Sequence, residues 1–118
     1  MTDSVKLQVS GPVDQVRATL EQALQPEGFR ATWENAEDGL IEKGTRTKAL
    51  LLGVFATHYK YRVLLHQQSD GTVIVDIGLA NTGLSGGAAG VAKVRKKLDH
   101  VGRVVTGAFQ SAGGLVNA

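Results

Sequence analysis

Tyr59-Lys60-Tyr61-Arg62-Val63-Leu64-Leu65-His66-Gln67-Gln68-Ser69-Asp70-Gly71-Thr72-Val73-Ile74-Val75-Asp76-Ile77-Gly78-Leu79 is the stretch whose reading decides the fold. Tyr59, Tyr61, Val63 and Leu65 alternate with His58, Lys60, Arg62 and Leu64, which is the period-two pattern of a strand with one buried face. Asp70-Gly71 is a hairpin signal, and Val73, Val75, Ile77 and Leu79 then form the inward face of a second strand. Strands joined by a tight turn run antiparallel, so the sheet is antiparallel.

Working towards the N-terminus, Asp38-Gly39 offers another hairpin turn, preceded by Phe29, Ala31 and Trp33 as inward positions and followed by a strand from about 40 to 47. The phase of that strand is open, because Leu40 and Ile41 compete for the core. Further back, Val5, Leu7 and Val9 alternate with polar residues as a first strand, which Gly11-Pro12 stops. Pro12 suits the first position of a helix, and Val13, Val16, Leu20 and Leu24 follow at helical spacing until Pro26 and Gly28. Towards the C-terminus, residues 81–90 form a glycine-rich loop. Val91, Val94, Leu98, Val101, Val105, Ala108 and Ala112 then keep a three-four spacing, the mark of a long amphipathic helix. Gly102 and Gly107 inside it each cost about 1 kcal/mol against alanine, so its far end frays or packs very closely on the sheet.

The expectation is one α+β domain over residues 1–118, an antiparallel sheet of about five strands in the order β-α-β-β-β-β-α, with two helices on one face. This order resembles the small fold shared by half of the TATA-binding protein and, in reduced form, by the helix-grip proteins of the lipid-transfer and plant-allergen families. The resemblance covers nearly all of the chain and rests on element order; it carries over no functional residue.

Composition narrows the function. At 118 residues and 42% hydrophobic content the chain can close a core without a staple. It has no cysteine, which removes thiol catalysis, thiolate metal sites and disulfides and is the ordinary state of a cytoplasmic protein. The start Met-Thr-Asp-Ser-Val-Lys has no signal-peptide pattern. The longest apolar run, residues 49–56, has eight residues against the roughly 20 that a spanning helix needs. The net charge of +2 hides a split: residues 1–42 hold eight acids and three bases, and residues 43–118 hold ten bases and three acids. Such halves either attract each other in the fold or across a dimer, or present a surface to anions.

Several constellations invite a chemical reading. Gly83-Leu84-Ser85-Gly86-Gly87 has the spacing of a nucleophile elbow, with Asp99 and His100 following in chain order. An antiparallel hairpin before it, and the roughly 100° between adjacent helical residues, speak against a triad. No catalytic residue is assigned. The same loop, Gly83, Ser85, Gly86, Gly87 and Gly90, could cradle a phosphate at a helix start beside Lys93, although it has neither a Gly-Lys-Ser/Thr ending nor a Gly-x-Gly-x-x-Gly pattern. On the long helix Lys93, Lys96, Lys97, His100 and Arg103 share one face, and Lys60 and Arg62 lie with His58 and His66 on the outer face of one strand near Asp76 and Lys6. These are the anion-binding candidates, with nucleic-acid phosphates or an anionic membrane surface as partners. Phe29, Trp33, Tyr59 and Tyr61 all fall on the core side, where they cannot stack on bases. His58 and His66 stand roughly 26 Å apart along a strand, too far to share a metal ion. No metal or cofactor is expected. Glu34, Glu37, Asp38 and Glu42 cluster at a turn, where carboxylates are normally wet.

The apolar run carries Leu50, Leu51, Leu52, Val54 and Phe55 and reads as core, as a loop that dips into a membrane, as a self-contact or as the lid of an apolar pocket, with self-contact or pocket favoured over lipid. The leading expectation is a non-enzymatic binding or interaction module, either a homo-oligomer or a binder of a small apolar ligand between the long helix and the sheet. The alternative is a sequence-tolerant polyanion binder through the basic helix face. An enzyme using the Ser85 loop comes third.

Overall fold

A computed structural model describes residues 4–43, 59–79 and 87–117, with backbone alone from 87 to 91. The apolar-run residues Leu50, Leu51, Leu52, Val54 and Phe55 lie outside the described residues, as do His58 and the loop positions Gly83, Ser85 and Gly86.

The chain forms β1 (Ser4–Ser10), α1 (Val13–Leu24), β2 (Arg30–Asn35), β3 (Asp38–Lys43), β4 (Tyr59–Gln67), β5 (Thr72–Leu79), α2 (Gly87–Ala112) and β6 (Leu115–Asn117). The six strands make one antiparallel sheet in the order β2-β3-β4-β5-β1-β6. The architecture is therefore α+β with two helices, as expected, and with a sixth strand where about five were anticipated. That strand exists because α2 stops at Gly113, whose φ of +77° takes the chain into the left-handed region. The N–H of Gly114 returns to the carbonyl of Phe109 at 2.9 Å, and the chain then pairs along the free side of β1.

Alternation places one row of side chains from each strand beneath the helices. Leu7, Val9, Ile41, Tyr61, Val63, Leu65, Val73, Val75 and Ile77 are all buried on that face. They meet Val16, Leu20 and Leu24 of α1 and Val94, Leu98, Val101, Val105 and Phe109 of α2 in one core. In α2 the stripe runs on to Phe109; Ala108 is only half-buried and Ala112 is exposed. Gly102 is the close-packed glycine: a Cβ there would stand 3.0 Å from Val5 Cγ2. Tyr61 has a hydroxyl to satisfy in this core and donates it to the Val94 carbonyl at 2.7 Å, tying β4 to α2. Burial pushes its phenol pKa above the ordinary value.

Two local expectations are corrected. Pro12 precedes α1 with an extended conformation (ψ 153°), and its carbonyl accepts the N–H groups of Gln15 and Val16. It therefore caps the helix from outside the first turn. The first hairpin turns at Ala36-Glu37, with Asp38 and Gly39 already inside β3. Asn35 Oδ1 accepts the Glu37 N–H at 2.9 Å, an Asx turn that takes the role expected of Asp38-Gly39. With that register Ile41 is buried and Leu40 lies half-buried on the opposite face. The Asp70-Gly71 turn forms as expected, with Gly71 at φ +85° and Asp70 Oδ1 accepting both the N–H and the hydroxyl of Thr72.

Candidate functional site

The α1–β2 connection is short, so the helix lies beside the β2–β3 hairpin, and the two do not close fully on each other. Between them is a cavity of about 350 Å³. Leu20 and Leu24 of α1 form one wall, and Ile41 and Val63 lie on the sheet side. Phe29, Ala31 and Trp33 complete the apolar lining, and Glu21, Gln25 and Arg30 are the polar residues around it.

Trp33 is the residue on which this site turns. It faces Gly39 across the β2–β3 pair, and a Cβ at position 39 would stand 2.5 Å from its Cε3 atom. The missing side chain is what lets the indole lie across the neighbouring strand. The indole Nε1 donates to Glu21 Oε1 at 2.6 Å. The Arg17 guanidinium lies 4.7 Å from the ring centroid, in cation–π contact. Arg17 and Glu21 stand four residues apart, hence on one face of α1, and together they hold the ring from above. Arg17 Nε is buried there without a hydrogen-bond partner among the described residues.

Just past the C-terminal end of α1, His100 Nε2 and Glu27 Oε1 are 2.6 Å apart, linking the α1–β2 turn to α2. The His100 hydrogen bond holds the Glu27 carboxyl below its ordinary value of 4.5, and the charges of Lys43 and Lys97 add to this. His100 thus faces a carboxylate of the α1–β2 turn.

The remaining candidates sit on separate surfaces. Lys96 and Arg103 are on α2 with Lys93, while Lys97 has its Nζ 5.4 Å from the Tyr59 ring centroid. Lys60 and Arg62 lie on the sheet face away from the helices, beside acids of β3. Arg62 makes a two-pronged contact with Asp38 at 2.7 and 3.2 Å, which holds the Asp38 carboxyl below its ordinary 3.8. Glu42 stands 3.8 Å from Arg30, and Glu37 accepts a hydrogen bond from Gln67, so the acidic cluster is spread over several partners. Gly87 and Gly90 lie in the first turn of α2.

The structure brings the aromatic candidates to different places. Phe29, Tyr59 and Tyr61 are core residues, whereas Trp33 is half-buried at the cavity. The α1 contribution of Arg17 and Glu21 was not anticipated. Its signal was a charged pair at helical spacing before a strand carrying the chain's one tryptophan. No protein-family model matches the chain, and no curated protein matches it.

Proposed function

We propose that this domain is a non-enzymatic binding module that takes a small, largely apolar ligand into the cavity between α1 and the β2–β3 hairpin. The observation that carries this reading is the cavity itself. Its volume of about 350 Å³ falls within the roughly 300–1,000 Å³ of small-molecule sites, and seven of its ten lining residues are apolar, beside Glu21, Gln25 and Arg30. The space expected to hold a ligand, beneath α2, is occupied by Leu98, Val101 and Val105 against the sheet and by the contact of Gly102 with Val5. The binding volume therefore sits under the shorter helix. The strand-helix-four-strand-helix order supports the further reading that this is a reduced helix-grip arrangement, extended by β6.

Trp33 is the single tryptophan and lines the cavity, so its fluorescence reports occupancy directly. Titration with 1-anilinonaphthalene-8-sulfonate should quench Trp33 saturably. Ala31→Leu, which adds bulk inside the cavity while keeping an apolar residue there, should weaken the probe by about tenfold or more. Unchanged probe affinity in that variant, or no saturable quenching in the parent, refutes the cavity as the binding site.

A further inference from the structure

We propose that β2 is a self-association edge, and that two copies of this chain pair β2 against β2 in antiparallel fashion about a two-fold axis through Thr32. Among the described residues β2 is an outer strand of the sheet, six residues long, whereas the opposite outer strand, β6, has three. An outer strand directs alternate N–H and C=O groups away from the sheet and is a template for another strand unless something blunts it. Proline and lysine do not occur in Arg-Ala-Thr-Trp-Glu-Asn, and its ladder to β3 is regular over residues 30–33, shifting register between Trp33 and Asn35. The two charges it does carry are of opposite sign and lie symmetrically about Thr32, at positions 30 and 34.

That symmetry decides the partner. In a two-fold antiparallel pair centred on Thr32, Arg30 of one protomer lies opposite Glu34 of the other, and Glu34 opposite Arg30. Ala31 and Trp33 pair likewise, a small residue against a large one on the helix face. Directly opposed side chains of opposite charge attract and like charges repel, so the pattern is complementary to its own copy and to neither neighbouring register of it. A shift of the axis to residue 31 sets Arg30 against Thr32, and a shift to residue 33 sets Thr32 against Glu34; both separate the charges, and the first also shortens the ladder. The contact is neutral overall, since each copy supplies one base and one acid. Arg30, Ala31 and Trp33 of this strand also line the cavity, but pairing uses the strand's backbone edge, so the association of ligand-free protein tests this inference apart from the ligand reading.

Sedimentation equilibrium of the full chain from about 1 µM to about 500 µM reads the association directly. The parent should pass from monomer to dimer. Glu34→Arg places two arginine pairs across the axis and should weaken dimerisation by about tenfold or more, and Arg30→Glu should act alike. The double exchange Arg30→Glu with Glu34→Arg restores opposite charges and should restore the dimer, which a merely misfolded variant could not do. Because the chain has no cysteine, Thr32→Cys supplies an independent readout. Oxidation should give a covalent dimer through position 32, while Gln8→Cys on the inner strand β1 should give none. A parent that stays monomeric over the whole range overturns the proposal. So does a dimer that is indifferent to Glu34→Arg and does not cross-link at position 32, since the copies would then meet through another face.

Discussion

A methyl group at position 39 would stand 2.5 Å from Trp33 Cε3 and 2.9 Å from the Thr32 carbonyl oxygen, distances that packed side chains do not reach. The indole would have to swing away, giving up its hydrogen bond to Glu21 and its stacking under Arg17. Gly39→Ala should therefore cost about 1–3 kcal/mol in urea unfolding, the range for forcing atoms into a filled site. Trp33 emission should shift to the red in the same variant as the ring reaches water. An unchanged midpoint with unchanged emission would mean that the strand accommodates the methyl group without moving the ring. The same residue shows why part of the site was hidden in the sequence. Asp-Gly is a strong hairpin signal, and it drew Gly39 into a turn that Asn35 makes two residues earlier. What Gly39 provides is room for an aromatic ring on the next strand, and that need is visible only once the register is known.

Elements with a clean period were legible. β1, β4, β5 and both helices follow from apolar spacing alone, because each buries one face and leaves the other to water. β2 and β3 were read less well. β2 is an outer strand whose inward side faces a cavity, so its burial pattern is weak, and β3 carries apolar residues on both faces. β6 was missed because three residues cannot show a period, although Gly113-Gly114 before Leu115-Val116 marks a helix stop followed by β-favouring residues. Three glycines near this end of α2 separate the physical causes. Gly107 is exposed, and a Cβ added there would meet nothing within 4 Å, so Gly107→Ala should stabilise by roughly 0.5–1 kcal/mol through helix propensity alone. Gly102→Ala has the same propensity gain but presses on Val5 at 3.0 and 3.1 Å, and should be less stable than Gly107→Ala. Gly113→Ala meets no atom yet must hold φ near +77°, and should lose about 1 kcal/mol. Thermal midpoints should rank Gly107→Ala above the parent and Gly113→Ala below it; equal midpoints would remove this account of the helix end.

Across the whole molecule, the acidic N-terminal part and the basic remainder meet inside one fold. Glu27 reaches His100 of α2, and Asp38 reaches Arg62 of β4, so two contacts each join a residue before position 43 to one after it. Both carboxyls are held below their ordinary values of 4.5 and 3.8, chiefly by those hydrogen bonds. A carboxyl whose folded pKa lies below its unfolded one binds a proton more readily in the unfolded chain. Its contribution to stability is thus fully present above the unfolded value and is lost as pH falls through the folded one. Acid should weaken the fold below about pH 4.5, with Asp70, lowered by its bonds to Thr72, acting in the same direction. Both contacts are at least partly exposed to solvent, so salt should shrink the effect. The double variant Glu27→Gln with Asp38→Asn should start with a lower urea midpoint near neutral pH and lose less of it than the parent on acidification to about pH 3. Equal losses in the two proteins would show that acid breaks something other than these contacts, and the charge split would then have to serve a surface beyond the fold.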